Sequence, residues 1–173
     1  MSRMYKQLDT LGFQSGQEFS IGFQEAQKLG AVVLLGDRPV QVTLQRLAAA
    51  VQQTGSSKLF NNKLDSVQMQ AAGLDGTNMK MDAAGISQMM EKLKNRASVT
   101  MLMGILKEEV PLVYEAMVQE RDQYMSEKLA KYLAKSGKQS AVAIVGIAHM
   151  DGIEHFLQTD YGYKLRPISA GKW

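Results

Sequence analysis

The chain has 173 residues, 45% of them hydrophobic and 21% charged, a balance that excludes a disordered tail or a filament and allows an ordinary packed core. Basic residues number 20 against 17 acidic ones; the net charge of +3 is scattered along the chain without a stripe, which argues against a nucleic-acid binder. The absence of cysteine removes disulfides, thiolate metal sites and cysteine nucleophiles together.

The length fits a single domain over residues 1–173, a size that buries roughly 70% of the unfolded surface. Residues 1–12 are polar and lack the apolar run of a signal peptide. No stretch reaches the roughly 18 apolar residues of a membrane span. A soluble chain on the cytoplasmic side is the expectation.

Ser15-Gly16-Gln17-Glu18 has the form of a capping box and predicts a helix over residues 17–29, with Phe19, Phe23, Ala26 and Leu29 on one face and Gly30 ending it. Ala31-Val32-Val33-Leu34-Leu35 is a continuous apolar run, the pattern of a strand buried on both faces. Gly36-Asp37-Arg38-Pro39 breaks it, with Asp37 able to cap a helix that runs to about Val51.

Residues 54–63 read as a loop; residues 64–72 and 83–96 read as helices, and the apolar stretch 99–106 as a further one. Methionines at helical spacing between Met81 and Met103 suit gap-filling in a core. The longest helical signal covers residues 109–134 and stops at Ser136-Gly137. A second apolar run, Ala141-Val142-Ala143-Ile144-Val145, predicts another buried strand. Gly146 and His149 follow it, then a helix over 151–158 and a short strand over 163–168. This order predicts an α/β fold with a parallel-sheet core and helical crossovers, whose ligands would bind beyond the carboxyl ends of the strands.

Both predicted strands deliver polar groups just past their carboxyl ends, Asp37 and Arg38 after the first and His149 after the second. Parallel strands would bring them to one rim, although Asp37 as a plain helix cap and His149 as a satisfied loop histidine fit equally well. Within the long helix, Val113, Met117, Tyr124 and Lys128 fall near one line, with Arg121 about 40° from Met117. Arg121 would then lie on or beside the buried face. It would snorkel to water, or else pair with Asp37, Glu120 or a bound anion.

The segment from Leu35 to Arg46 resembles the D-R-P-I-x-V-T-L-x-R signature of the TraB/PrgY family. Glu120-Arg121-Asp122-x-Tyr124-Met125 is similar to that family's E-R-D-x-Y-M/L stretch, and residues 142–153 resemble its V-x-x-V-G-x-x-H-x-x-G-I strand and loop. With Gly12-x3-Gly16-x-Glu18-Phe19, these matches cover almost the whole chain in order.

The resemblance implies an α/β domain related to Tiki-type proteases and the erythromycin-esterase-like group, in which two G-x-x-H motifs and acidic residues form a divalent-metal site (Mn, Co or Zn) proposed to hydrolyse peptide bonds. Only the second motif, Gly146 to His149, is present, so the family's N-terminal strands would be missing and the site impaired. His149 is expected to ligate the metal or move a proton. Arg38 and Arg121 would hold a carboxylate or phosphate by forked hydrogen bonds, with Glu120 beside them and Asp37, Arg46 and Gly146 binding ligand. His155 matches no motif and is read as structural.

The alternative implied by the resemblance is a non-enzymatic regulatory or interaction protein, with a peptide or protein partner, at the mitochondrial outer membrane or another contact-site membrane. Missing strands would leave a sheet edge open to a second copy of the chain or a partner's strand. A nucleotide-binding domain ranks below both, because Gly146 and Gly152 do not form a glycine-rich fingerprint.

Overall fold

A computed structural model describes residues 16–55 and 95–164. The predicted helices over 64–72 and 83–94, most of the 54–63 loop, Ser15 of the capping box, the methionines between Met81 and Met90, and the end of the 163–168 strand lie outside the described residues.

Helix α1 spans Gln17–Lys28 and ends where expected, because Gly30 takes φ 61°, a left-handed conformation that costs glycine little. Helix α2 spans Val40–Thr54. Pro39 is its N-cap, so Asp37 does not cap it; the Asp37 carboxylate instead accepts from the Arg38 N–H at 2.7 Å. Helix α3, Arg96–Glu109, is capped by Asn95, whose side chain accepts from Ala97 N–H at 2.9 Å. Arg96 thus opens a helix, where the sequence reading had it close one.

The single helix expected over 109–134 is interrupted. Pro111 cannot donate into a continuing helix, so α3 stops at Glu109 and a one-turn helix α4, Pro111–Tyr114, restarts the chain. A π-helical turn follows, Glu115–Gln119, in which Glu120 N–H reaches back five residues to Glu115 O. Helix α5, Glu120–Ser136, then runs to Gly137 at φ 68°. Helix α6 spans Ile147–Thr159 and starts four residues earlier than expected, which puts His149 in its first turn.

The α/β expectation is overturned in the described residues, which are helical and contain no strand or sheet. Residues 31–35 and 141–145 are neither helical nor paired. Among the described residues the backbone hydrogen bond that involves either run is Ala31 N–H to Ala26 O, which finishes α1. Nor are the runs buried on both faces, since Val32 is 69%, Leu35 72% and Val142 79% exposed. An apolar run supplies what a buried strand needs on its surface, yet a strand exists only when a neighbour takes up its N–H and C=O groups. Tyr163, at the head of the last expected strand, donates instead to Leu157 O at 2.9 Å, closing the end of α6.

The core lies among α3, the π turn, α5 and α6, where Val99, Ile105, Ala116, Val118, Ala130, Leu133, Ile153 and Leu157 are buried, and α2 adds Ala50. Met101 on α3 is exposed and fills no core gap. The middle of α6 is tied to the start of α3 by Arg96, which bonds Asp151 and, at 2.6 Å, Glu154. Phe19 and Phe23 of α1 face Ala31 and Val33 across an open groove, so the face expected to cover the strand is itself half exposed.

Candidate functional site

Two short charged chains meet at the junction of the π turn and α5. In the first, Arg38 is threaded into the interior with its side chain 7% exposed. Its Nη1 donates to Glu120 Oε2 at 2.5 Å, its Nη2 to Ala116 O at 2.6 Å and its Nε to Thr43 Oγ1 at 3.2 Å. Glu120 also accepts from Arg46, through Nε at 2.9 Å and through Nη2. One carboxylate therefore serves two guanidinium groups, one buried and one half exposed. The Arg46 hydrogen bond is the largest influence on the Glu120 pKa and lowers it, burial opposes, and Arg38 adds to the lowering, so the net shift is down.

In the second, Arg121 grips Asp37 with a fork, Nε to Oδ1 at 3.2 Å and Nη2 to Oδ2 at 2.7 Å, while its Nη1 donates to Met117 O at 3.2 Å. Of the partners left open by the sequence, Asp37 is the one Arg121 takes. Burial works to raise the Asp37 pKa, but the Arg121 bonds and charge, the Arg38 N–H and the charge of His149 outweigh it and hold the carboxyl below its usual value. Both arginines use carbonyls of the π turn, which is how a backbone irregularity comes to organise the charged groups.

Next to this pair lies Asp122, 1% exposed. Its Oδ1 stands 2.6 Å from His149 Nδ1. An ionised carboxylate can only accept, so Nδ1 donates to it, and in the neutral form of the ring the lone pair then sits on Nε2. Burial drives the Asp122 pKa up, and the hydrogen bond and charge of His149, with the charge of Arg121, offset part of that rise. Tyr114, on α4, is raised by its own burial and by the nearby carboxylates of Asp122 and Asp151.

The residues singled out from the sequence are thus brought together. Asp37, Arg121, Asp122 and His149 lie within one another's electrostatic reach, and Arg38, Glu120 and Arg46 form the adjoining chain. Gly146 stands at the N-cap of α6, its carbonyl accepting from His149 N–H at 2.9 Å. His155 lies on the exposed side of α6, edge-on to Phe156.

Asp122 was quoted in the sequence only as part of the E-R-D stretch, without a site role, and Thr43 was missed as a site residue. The signal for Asp122 was available in the spacing of the buried residues Asp122, Ser126, Ala130 and Leu133, which fall at steps of four, four and three. The sequence reading had drawn its stripe through Val113 and Tyr124 by assuming an unbroken 3.6-residue period, and the π turn between them shifts that phase.

The family model for TraB/PrgY/gumN matches residues 12–166. The chain belongs to the TraB/PrgY/gumN family. It is 29% identical over 150 residues to an uncharacterized protein of Methanocaldococcus jannaschii, covering 87% of this chain and 34% of that protein. It is 28% identical over 166 residues to a TraB domain-containing protein of Mus musculus, covering 88% of this chain and 40% of that protein. The chain therefore spans well under half the length of these two relatives. No solved structure matches it significantly.

The divalent metal implied by the TraB resemblance asks for about three protein ligands. Among the described residues no group of three or more His, Asp or Glu side chains is placed to hold an ion. The carboxylates nearest His149 are already engaged, Asp122 by the imidazole and Asp37 by Arg121. The described residues by themselves do not fit such an ion. Among those residues no helix is long and apolar enough to cross a membrane.

Proposed function

We propose that this TraB-family chain carries a peptide-binding, peptide-hydrolase-like site in which His149 is the proton-transferring group. One observation carries the reading: a buried carboxylate 2.6 Å from Nδ1 fixes the imidazole, so that in the neutral ring Nε2 is the nitrogen able to take a proton. Arg121 spends its fork on Asp37, and Arg38 divides its donors among Glu120, the Ala116 carbonyl and Thr43, so their task is to build the rim rather than to grip a ligand. Arg46 also bonds Glu120, but it does so half exposed, so it is the guanidinium of this charged chain that a peptide carboxylate would meet from solvent.

A mixture of synthetic peptides incubated with the protein, with and without Mn²⁺, Co²⁺ or Zn²⁺, and read by mass spectrometry tests this directly. His149→Ala is expected to lower any turnover by about 10²–10⁴-fold, the usual weight of a general acid–base group. Equal turnover in the variant removes His149 from the reaction.

A second reading, a non-enzymatic interaction protein acting at an organelle membrane, draws on a different observation. Residues 31–35 and 141–145 expose apolar side chains beside backbone groups that have no partner across them among the described residues. Such segments favour pairing with another chain, a second copy being the simplest. Light scattering at rising concentration is expected to show self-association; a monomer throughout counts against this reading.

A further inference from the structure

The contact between Asp122 and His149 depends on a residue that touches neither nitrogen of the imidazole. Gly152 lies three residues after His149 on α6, and α6 crosses α5 at Asp122. A Cβ at Gly152 would lie 2.1 Å from Asp122 Oδ2, 2.8 Å from its Cγ and 3.1 Å from its Cβ. Those distances are far inside van der Waals contact, and the atom met is a short, fully buried side chain with nowhere to swing. By contrast, a Cβ at Gly104, the glycine inside α3, would meet nothing within 4 Å.

The same crossing is fixed one turn further along. Ser126 is 0% exposed, donates to Asp122 O at 2.7 Å and lies 3.5 Å from Ile153 O on α6. The two helices therefore approach through a serine and a glycine. The carboxylate of Asp122 fills the space a side chain at position 152 would occupy.

We infer that Gly152 is a positioning residue for His149: by carrying no side chain it leaves the room in which Asp122 reaches Nδ1 and sets the tautomer of the imidazole. The functional weight of this inference rests on His149 being the working group of the site. The test reads the imidazole itself and not turnover, so the two can fail separately.

Long-range ¹H–¹⁵N NMR of the full chain distinguishes a protonated from an unprotonated ring nitrogen. In the wild type and in Gly104→Ala, the neutral ring of His149 is expected to show Nδ1 protonated and Nε2 unprotonated. Gly152→Ala is expected to yield a mixture of tautomers. A Gly152→Ala protein that keeps the wild-type nitrogen shifts overturns the inference.

Because Gly152→Ala can also unfold the protein, its effect is compared in two backgrounds. In the wild type it is expected to lower Tm by several degrees, and in Asp122→Ala, where the colliding carboxylate is gone, by much less. An equal fall in both backgrounds means that position 152 serves helix approach alone, and the inference is then wrong.

Discussion

Replacing Glu120 with alanine is expected to lower the unfolding free energy by about 3–5 kcal/mol, the usual cost of removing one partner from a buried ion pair. The effect is large because Arg38 is 7% exposed and cannot turn to water when its carboxylate is lost. Thr43 and the Ala116 carbonyl would remain as acceptors, but neither carries a negative charge. Arg46→Ala removes the solvent-exposed end of the same chain and is expected to cost far less. Urea unfolding at neutral pH measures both, and near-equal losses would mean that burial of Arg38 is not what matters.

Acid should act on the same groups. The pKa of Glu120 and of Asp37 is lower in the folded protein than the ordinary values of 4.5 and 3.8. The unfolded chain therefore takes up protons first, so the stabilisation is fully present above those ordinary values and is lost as pH falls through the depressed folded ones.

Asp122→Asn is expected to separate stability from function. Burial raises the pKa of Asp122, so the folded state holds its proton more tightly than the unfolded chain does. The sign is then opposite to that of Glu120. Its contribution is most favourable below 3.8 and is lost as pH rises through the raised folded value. At neutral pH the asparagine removes a buried charge while its Oδ1 can still accept from Nδ1, and stability should hold or rise. An imidazolium formed at His149 would lose its anionic partner, and turnover is expected to fall about 10²–10⁴-fold. An asparagine variant with full turnover would show that the charge of Asp122 plays no part in the chemistry.

The charged residues of the site were legible in the sequence because they stand at the ends of apolar runs or in recognisable charged stretches. Asp37 and Arg38 follow one apolar run and His149 follows another, while Glu120 and Arg121 were singled out within the long helical signal by their spacing and their E-R-D stretch, and the helix start at Glu120 was not foreseen. What could not be read was how the backbone delivers them. The π turn at Glu115–Gln119 depends on tertiary contacts, and it rotates Asp122 onto the buried face that period counting had assigned elsewhere. The two apolar runs misled in a different way, since local hydrophobicity reports what a segment would bury but not whether a neighbouring strand supplies its hydrogen bonds. His149 was expected in a loop because the helix it opens has no side-chain cap to announce its start.

That a carboxylate hidden from water holds the imidazole of His149 in one orientation is best tested by the ring nitrogens themselves, observed by ¹⁵N NMR in the wild-type chain near neutral pH. In the neutral ring, a protonated Nδ1 beside an unprotonated Nε2 is the expected result. A ring protonated on Nε2, or one that exchanges between tautomers as a free histidine does, would contradict it.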